Sequence, residues 1–157
     1  MFVTDFTRAA RTISEECILT RVRQVSRALT QIYDDTSRPT GLQSSQVSVL
    51  VAVARFGEAG ANINALARVL VMDRTTLSRN LRPLEKLGLL RVARAPDDAR
   101  RRIVLLTRAG ERKIEEAYPL WEQAQRKIRK LLGTGSADDL AAGAQRTLTA
   151  LGRSAGP

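Results

Sequence analysis

Residues 63–90 read Ile63-Asn-Ala-Leu66-Ala-Arg-Val69-Leu70-Val-Met-Asp73-Arg-Thr-Thr-Leu77-Ser-Arg79-Asn-Leu81-Arg82-Pro83-Leu84-Glu-Lys86-Leu-Gly88-Leu-Leu90. Their spacing predicts two short helices joined by a tight turn. In the first, about residues 63–70, Leu66, Val69 and Leu70 are the apolar positions. Val71-Met72-Asp73 makes the connection, and Asp73 is placed to cap the second helix, which runs from Arg74 to about Leu87. There Leu77, Leu81 and Leu84 recur at helical spacing and mark the buried stripe. Gly88 stands where a helix closes on a left-handed residue. Pro83 removes one backbone donor and predicts a bend in the last turn. Two short helices around such a turn make a helix-turn-helix.

The second helix has a distinct outer face. Thr75, Arg79, Arg82 and Lys86 share it, with Thr76 and Ser78 at its edges. An arginine can donate two hydrogen bonds to a guanine edge in the major groove, while Thr and Ser reach phosphates or pack on a thymine methyl. A basic helix face taken alone is more often merely a solvated surface. Here it coincides with the charge: residues 73–102 carry 9 basic and 4 acidic residues, half of the net +10. Such an excess calls for an acidic partner, and nucleic acid is the commonest.

Two extended runs follow, 89–95 and 102–106, flanking the polar stretch Pro96-Asp97-Asp98-Ala99-Arg100-Arg101. This reads as a β-hairpin with a charged tip, a wing beside the second helix. On the N-terminal side, residues 44–57 predict a helix capped by Ser44 or Ser45 that buries Val47, Leu50, Val51 and Ala54. Residues 37–41 and 57–61 read as loops. Further out, Ile18, Val22, Val25, Leu29 and Ile32 form an a/d seam on a helix from about Ile13 to Asp34, of the kind that faces another helix. After the wing, Thr107 can cap a long helix to about Leu132, with Ile114, Tyr118, Trp121, Gln125, Ile128 and Leu132 along one side and a kink expected at Pro119. A loop at 133–136 and a last helix, about 137–151, presenting Leu140, Ala144, Leu148 and Leu151, complete the chain. The expected fold is mainly α with a small β-hairpin wing.

Composition narrows the function. The 157 residues are enough for one domain with a sizeable core. There is no histidine and a single cysteine, Cys17. A His-based acid–base site, a Ser-His-Asp triad and a multi-Cys zinc site are thereby ruled out. No paired carboxylates or Gly-rich phosphate loop favour an enzyme, and no metal or cofactor is expected. Met1 to Ala10 has no apolar core of signal-peptide length, and no apolar run approaches the roughly 20 residues of a membrane span. A lone thiol suits a reducing compartment, so the expected location is cytoplasmic.

The run from Asp73 to Leu90, then Asp98-Ala-Arg100, then Val104-Leu-Leu-Thr107-Arg-Ala-Gly110, resembles the MarR family of bacterial winged helix-turn-helix transcription regulators, and the likeness extends to the flanking helices. The resemblance implies one MarR-type domain over 1–157. About 44–107 would be the winged helix-turn-helix, and about 1–43 and 108–157 the dimerisation helices of a homodimer. It implies a sequence-specific DNA-binding repressor, released from a pseudo-palindromic operator in double-stranded DNA by a small molecule, such as an aromatic ligand, or by an oxidant. It places Arg100 in the minor groove with Asp98 orienting it, while Arg101 and Arg102, near the same tip, read as meeting phosphates or solvent. Cys17 lies where the family's organic-hydroperoxide-sensing branch keeps its reactive cysteine, and Tyr33 matches one tyrosine that holds the thiol there. The second tyrosine is absent, since the matching stretch reads Gln46-Val47-Ser48. A lone cysteine on a helix also serves as a small apolar residue.

Rival readings remain open at this point. A nonspecific basic DNA- or RNA-binding module would show salt-dependent binding without a preferred duplex. A protein–protein adaptor would lack strong salt-dependent DNA binding.

Overall fold

The computed structural model describes residues 3–96, 98 and 100–153. The elements run α1 (Val3–Glu16), α2 (Ile18–Ser37), α3 (Ser44–Ala54), β1 (Ala61–Asn62), α4 (Ile63–Val69), α5 (Arg74–Lys86), β2 (Leu90–Arg94), β3 (Arg102–Leu106), α6 (Arg108–Leu132) and α7 (Thr134–Ala150). The helix-turn-helix and the wing fall where the sequence predicts them. The wing strands pair antiparallel with Leu90 opposite Leu106 and Arg94 opposite Arg102. β1 adds a third antiparallel strand on the far side of β3, Ala61 opposite Val104. That strand begins at the last residue of the stretch read as a loop: two residues are too short to show alternation.

The core belongs to the winged module. Leu50 and Val53 of α3, Leu66 of α4, Leu77 and Leu84 of α5, Leu90 of β2 and Val104 of β3 are fully enclosed. In α3 the buried face is Val49, Leu50, Ala52 and Val53, whereas Val51 and Ala54 face solvent. From Val49 onward the helix is wholly apolar, so no polar residue there sets its phase, and packing against α5, α6 and β3 chooses it. Its N-cap is Gln43, in a reciprocal capping box with Gln46, rather than a serine. Pro83 and Pro119 interrupt neither α5 nor α6.

The N-terminal region departs from the single helix expected over 13–34. Cys17 breaks it: its backbone is extended (φ −68°, ψ 110°) between α1 and α2. α7 starts at Thr134, directly after Gly133 at φ 78°, so the expected loop is a single left-handed residue. An ion pair from Arg129 to Asp138 at 2.9 Å braces that corner. α6 packs against α2, α3 and α7, burying Ala117, Ala124 and Ile128. The Asp34 carboxylate accepts the backbone N–H of Ser44 at 2.7 Å and ties α2 to the start of α3.

Much of the predicted seams stays uncovered within one chain. Ile18 is 79% exposed and Val22 59%, while Leu29 and Ile32 are half-buried. Tyr118, Trp121 and Leu132 of α6, Leu140 of α7 and Leu151 just after it are exposed too. Among the described residues, no helix is long and apolar enough to cross a membrane.

One junction holds the wing, the end of α5 and the start of α6 together. The Thr107 hydroxyl donates to the Gly88 carbonyl at 2.6 Å and accepts the Gly110 N–H at 3.1 Å. The Thr107 N–H donates to the Leu89 carbonyl at 3.2 Å. Gly110 lies so close to β2 that a Cβ built on it would stand 2.1 Å from the Leu89 carbonyl oxygen. Backbone cannot yield as a flexible side chain would. Gly110→Ala is therefore expected to destabilise the fold by at least the roughly 1–3 kcal/mol of an overpacked core, read as a lower midpoint in thermal or denaturant unfolding. An unchanged midpoint would show that the junction is slack.

Candidate nucleic-acid interface

The recognition helix α5 is fixed at both ends by local chemistry. At its start, Asp73 Oδ1 accepts the Thr76 N–H at 2.8 Å and Oδ2 accepts the Thr76 hydroxyl at 2.7 Å. The Thr76 hydroxyl, and then its N–H, hold the Asp73 carboxyl below its ordinary pKa. The hydroxyl proton of Thr76, expected at the edge of the DNA-facing surface, is thus engaged in the cap. The Arg74 guanidinium forks onto Asn64 Oδ1 at 2.9 and 2.5 Å and locks α5 to α4. Asn64 is itself set by the α4 cap, where Asn62 Oδ1 accepts the Asn64 N–H at 2.8 Å. Neither link shows in the sequence, because both join polar residues with no periodic signature.

Both helices of the motif close with the same hydrogen-bond pattern. After α5, Gly88 N–H donates to Glu85 and Leu89 N–H to Leu84. After α4, Val71 N–H donates to Arg68 and Met72 N–H to Ala67. The left-handed position is glycine in the first case (φ 69°) and valine in the second (φ 52°). A β-branched residue there is strained, and the strain sits in the turn that aims α5.

The outer face of α5 matches the sequence reading. Thr75, Ser78, Arg79, Arg82 and Lys86 are exposed, while Leu77, Leu81 and Leu84 are buried. Arg79, Arg82 and Lys86 have no ion-pair or hydrogen-bond partner among the described residues. Behind Arg82, the Glu85 carboxylate accepts the Val92 N–H at 3.1 Å and docks the wing onto the helix. Between helix and wing runs a groove of about 300 Å³. Ile63, Leu81 and Val92 form its apolar side, and Ser78, Arg82, Glu85 and Arg102 its polar side.

At the wing tip, Asp97 and Ala99 lie outside the described residues. Asp98 Oδ1 accepts the backbone N–H of Arg100 at 2.9 Å, and its carbonyl accepts that of Arg101 at 2.9 Å. The carboxylate thus shapes the turn from which Arg100 projects, through the backbone N–H of Arg100 rather than its guanidinium. An Asx-type bond to a backbone two residues on is the commoner use of an aspartate in a turn.

Cys17 and Tyr33 are not brought together in one chain. They sit at opposite ends of α2, 16 residues apart, or about 24 Å at ~1.5 Å per residue. Cys17 is partly exposed at the break before α2. The nearby Thr20 hydroxyl, and then its N–H, lower the thiol pKa, though neither contact has the geometry of a formed cap bond. Burial raises the pKa of Tyr33.

A capped recognition helix with a free cationic face, a docked wing and long flanking helices define a winged helix-turn-helix regulator. The sequence model described as MarR family matches residues 40–101. The M. tuberculosis transcriptional regulator MosR, solved in complex with DNA, is 31% identical with a TM-score of 0.71, over 86% of this chain and 98% of that one. A probable transcriptional regulator from Pseudomonas aeruginosa is 27% identical with a TM-score of 0.73, over 85% and 98%. A mutant MarR from E. coli, complexed with operator DNA, shares the fold at a TM-score of 0.77 and 22% identity, over 87% and 97%. No curated protein sequence matches significantly. The chain belongs to the MarR family of transcription regulators.

Because the Asp73 carboxyl pKa is depressed in the folded protein, its contribution is present above the ordinary carboxylate range and is lost as pH falls through the lowered value. Asp73→Ala is expected to lower the unfolding midpoint at neutral pH, and the gap to wild type should close in acid. A gap that persists at low pH would mean that the carboxylate is not what holds the start of α5.

Proposed function

We propose that the chain is a homodimeric, sequence-specific DNA-binding repressor whose hold on its operator is released by a small molecule. The observation that carries this reading is the solvent face of α5. Arg79, Arg82 and Lys86 stand exposed and unpaired among the described residues on a helix locked by its cap and by the Arg74–Asn64 fork. A rigidly held, uncompensated cationic face matches a DNA duplex, which offers base-edge acceptors in its major groove and charged phosphates beside it. Arg79, in mid-helix, would read a guanine edge. Thr75 and Ser78 would serve phosphates or a thymine methyl, and Lys86 and Arg101 the backbone. Arg100 would enter a narrow A·T-rich minor groove, where the negative potential is strongest. Relatives support the reading: MosR has been solved in complex with DNA, as has MepR of S. aureus.

The dimer rests on a second observation. Exposed Phe6, Ile18, Val22, Trp121 and Leu132 lie on α1, α2 and α6, and apolar surface left in water is unfavourable by about 25 cal/mol per Å². A second copy would cover these faces about a two-fold axis, with 1–43 and 108–157 as dimerisation helices and 44–107 as the DNA-binding part. Two α5 helices would then meet successive major grooves about 34–36 Å apart. In sedimentation analysis the chain should run as a dimer at micromolar concentration. A monomer would overturn this arrangement.

The released state is proposed to hold an aromatic acid or its derivative between the long helices and the winged module. A relative, CouR of Rhodococcus jostii, is solved bound to p-coumaroyl-CoA. Cys17 supports a second signal: partly exposed, at a helix break and with its pKa lowered, its thiolate can take oxygen from a hydroperoxide to give a sulfenic acid and an alcohol.

Titration against duplexes selected from a random pool tests the function. Wild type should enrich a pseudo-palindrome. Arg79→Ala should lower affinity by about 1–3 kcal/mol and relax preference at one position of each half-site. Repeating the titration with aromatic acids, and with an organic hydroperoxide on wild type and Cys17→Ser, separates the signals. Binding without any enriched sequence would overturn the operator reading in favour of a nonspecific module.

A further inference from the structure

Two arginines from different elements line one groove. Arg82 comes from α5 and Arg102 from the first residue of β3, and both border the approximately 300 Å³ space between recognition helix and wing. Neither has a partner among the described residues. The groove's one carboxylate, Glu85, is engaged by the Val92 N–H and stands in ion-pair range of neither arginine. Arg102 is moreover placed directly opposite Arg94 across the wing ladder, and like charges directly opposite on a sheet are destabilising. The fold thus holds an uncompensated positive charge against the helix face at a cost, and Ser78 adds a hydroxyl donor on the same side.

We infer that Arg82 and Arg102, with Ser78, form a two-element clamp for a single backbone phosphate of the bound DNA. A phosphate between them would satisfy both guanidinium groups by charge-assisted bonds and screen the Arg94–Arg102 repulsion. The apolar side of the groove, Ile63, Leu81 and Val92, suits the C–H face of the adjoining deoxyribose. The clamp separates the roles of two neighbouring arginines: Arg79 reads a base, whereas Arg82 sets the spacing of helix and wing on the backbone and carries no sequence information. The inference rests on the DNA-binding reading above.

A double-mutant cycle tests it. Arg82→Ala and Arg102→Ala should each weaken binding by roughly 10- to 100-fold per half-site, the size of a charge-assisted hydrogen bond. Together they should weaken it by much less than the product of the two. Both losses should be equal across operator variants with single base changes. A neutral methylphosphonate at one backbone position per half-site should abolish the effect of both substitutions. Both residues are exposed, so the variants should keep the wild-type circular dichroism. Arg102→Ala should also raise the unfolding midpoint slightly by removing the like-charge pair. Independent losses that multiply, or relaxed preference at one base position in Arg82→Ala, would overturn the clamp. If wild type binds all duplexes alike, the operator reading fails, and the same cycle on random DNA still decides the clamp. If wild type binds no DNA, both fail.

Discussion

The contact between Gly110 and the Leu89 carbonyl is the constraint on which the rest of the molecule leans. It sits where three pieces of chain meet: the end of the recognition helix at Gly88, the wing strands on either side of Leu89 and Thr107, and the first turn of α6. The Thr107 hydroxyl bonds both Gly88 and Gly110, so the angle at which α6 leaves the wing is tied to the position of the recognition helix. α6 in turn packs on α2, α3 and α7. A shift among the long helices would therefore bear on the end of α5 through close-packed backbone. The Asp34–Ser44 bond makes a second bridge, from α2 to the start of α3. These two links are a physical route by which an event among the long helices could reach the DNA-facing surface.

The surface proposed to face DNA is assembled against its own electrostatics. Arg94 and Arg102 oppose each other on the wing, and Arg79, Arg82 and Lys86 crowd one helix face without compensating carboxylates. Glu85, the acidic residue between Arg82 and Lys86, is engaged by the Val92 N–H instead of an arginine. The valine at a left-handed position in the helix-turn-helix is a further departure from the easiest local structure. Costs of this kind are expected where a surface is built for a partner. What offsets them is the all-apolar core of α3, α4, α5 and the wing, which needs no help from the charged side.

The long helices show the complementary imbalance. They carry strong seams yet bury little within the chain: α7 encloses no residue completely and α2 only Ser37. Helices this amphipathic derive their stability from packing rather than from propensity. One chain supplies a partner for part of α2 and α6 and leaves the remainder facing water.

The local features were decided by the sequence itself. The cap at Asp73, the stripe Leu77–Leu81–Leu84, the stop at Gly88, the two wing strands and the cap at Thr107 all follow from interactions within a few residues, which spacing and residue type express directly. The exposed face of α5 follows from the same periodicity, and the family from the motif as a whole. Tertiary structure decided the rest. The buried side of the second half of α3 is not announced by any polar residue, because Val49 to Ala54 are all apolar. Cys17 breaks a helical pattern that continues through it in sequence. Asp98 holds a backbone N–H and not the guanidinium two residues on. The pairings Arg74–Asn64 and Glu85–Val92, and the shared groove of Arg82 and Arg102, join residues on different elements. Periodicity registers which side of an element faces inward, but not which polar groups meet once the elements are packed. Those meetings depend on distances that exist only in the folded chain.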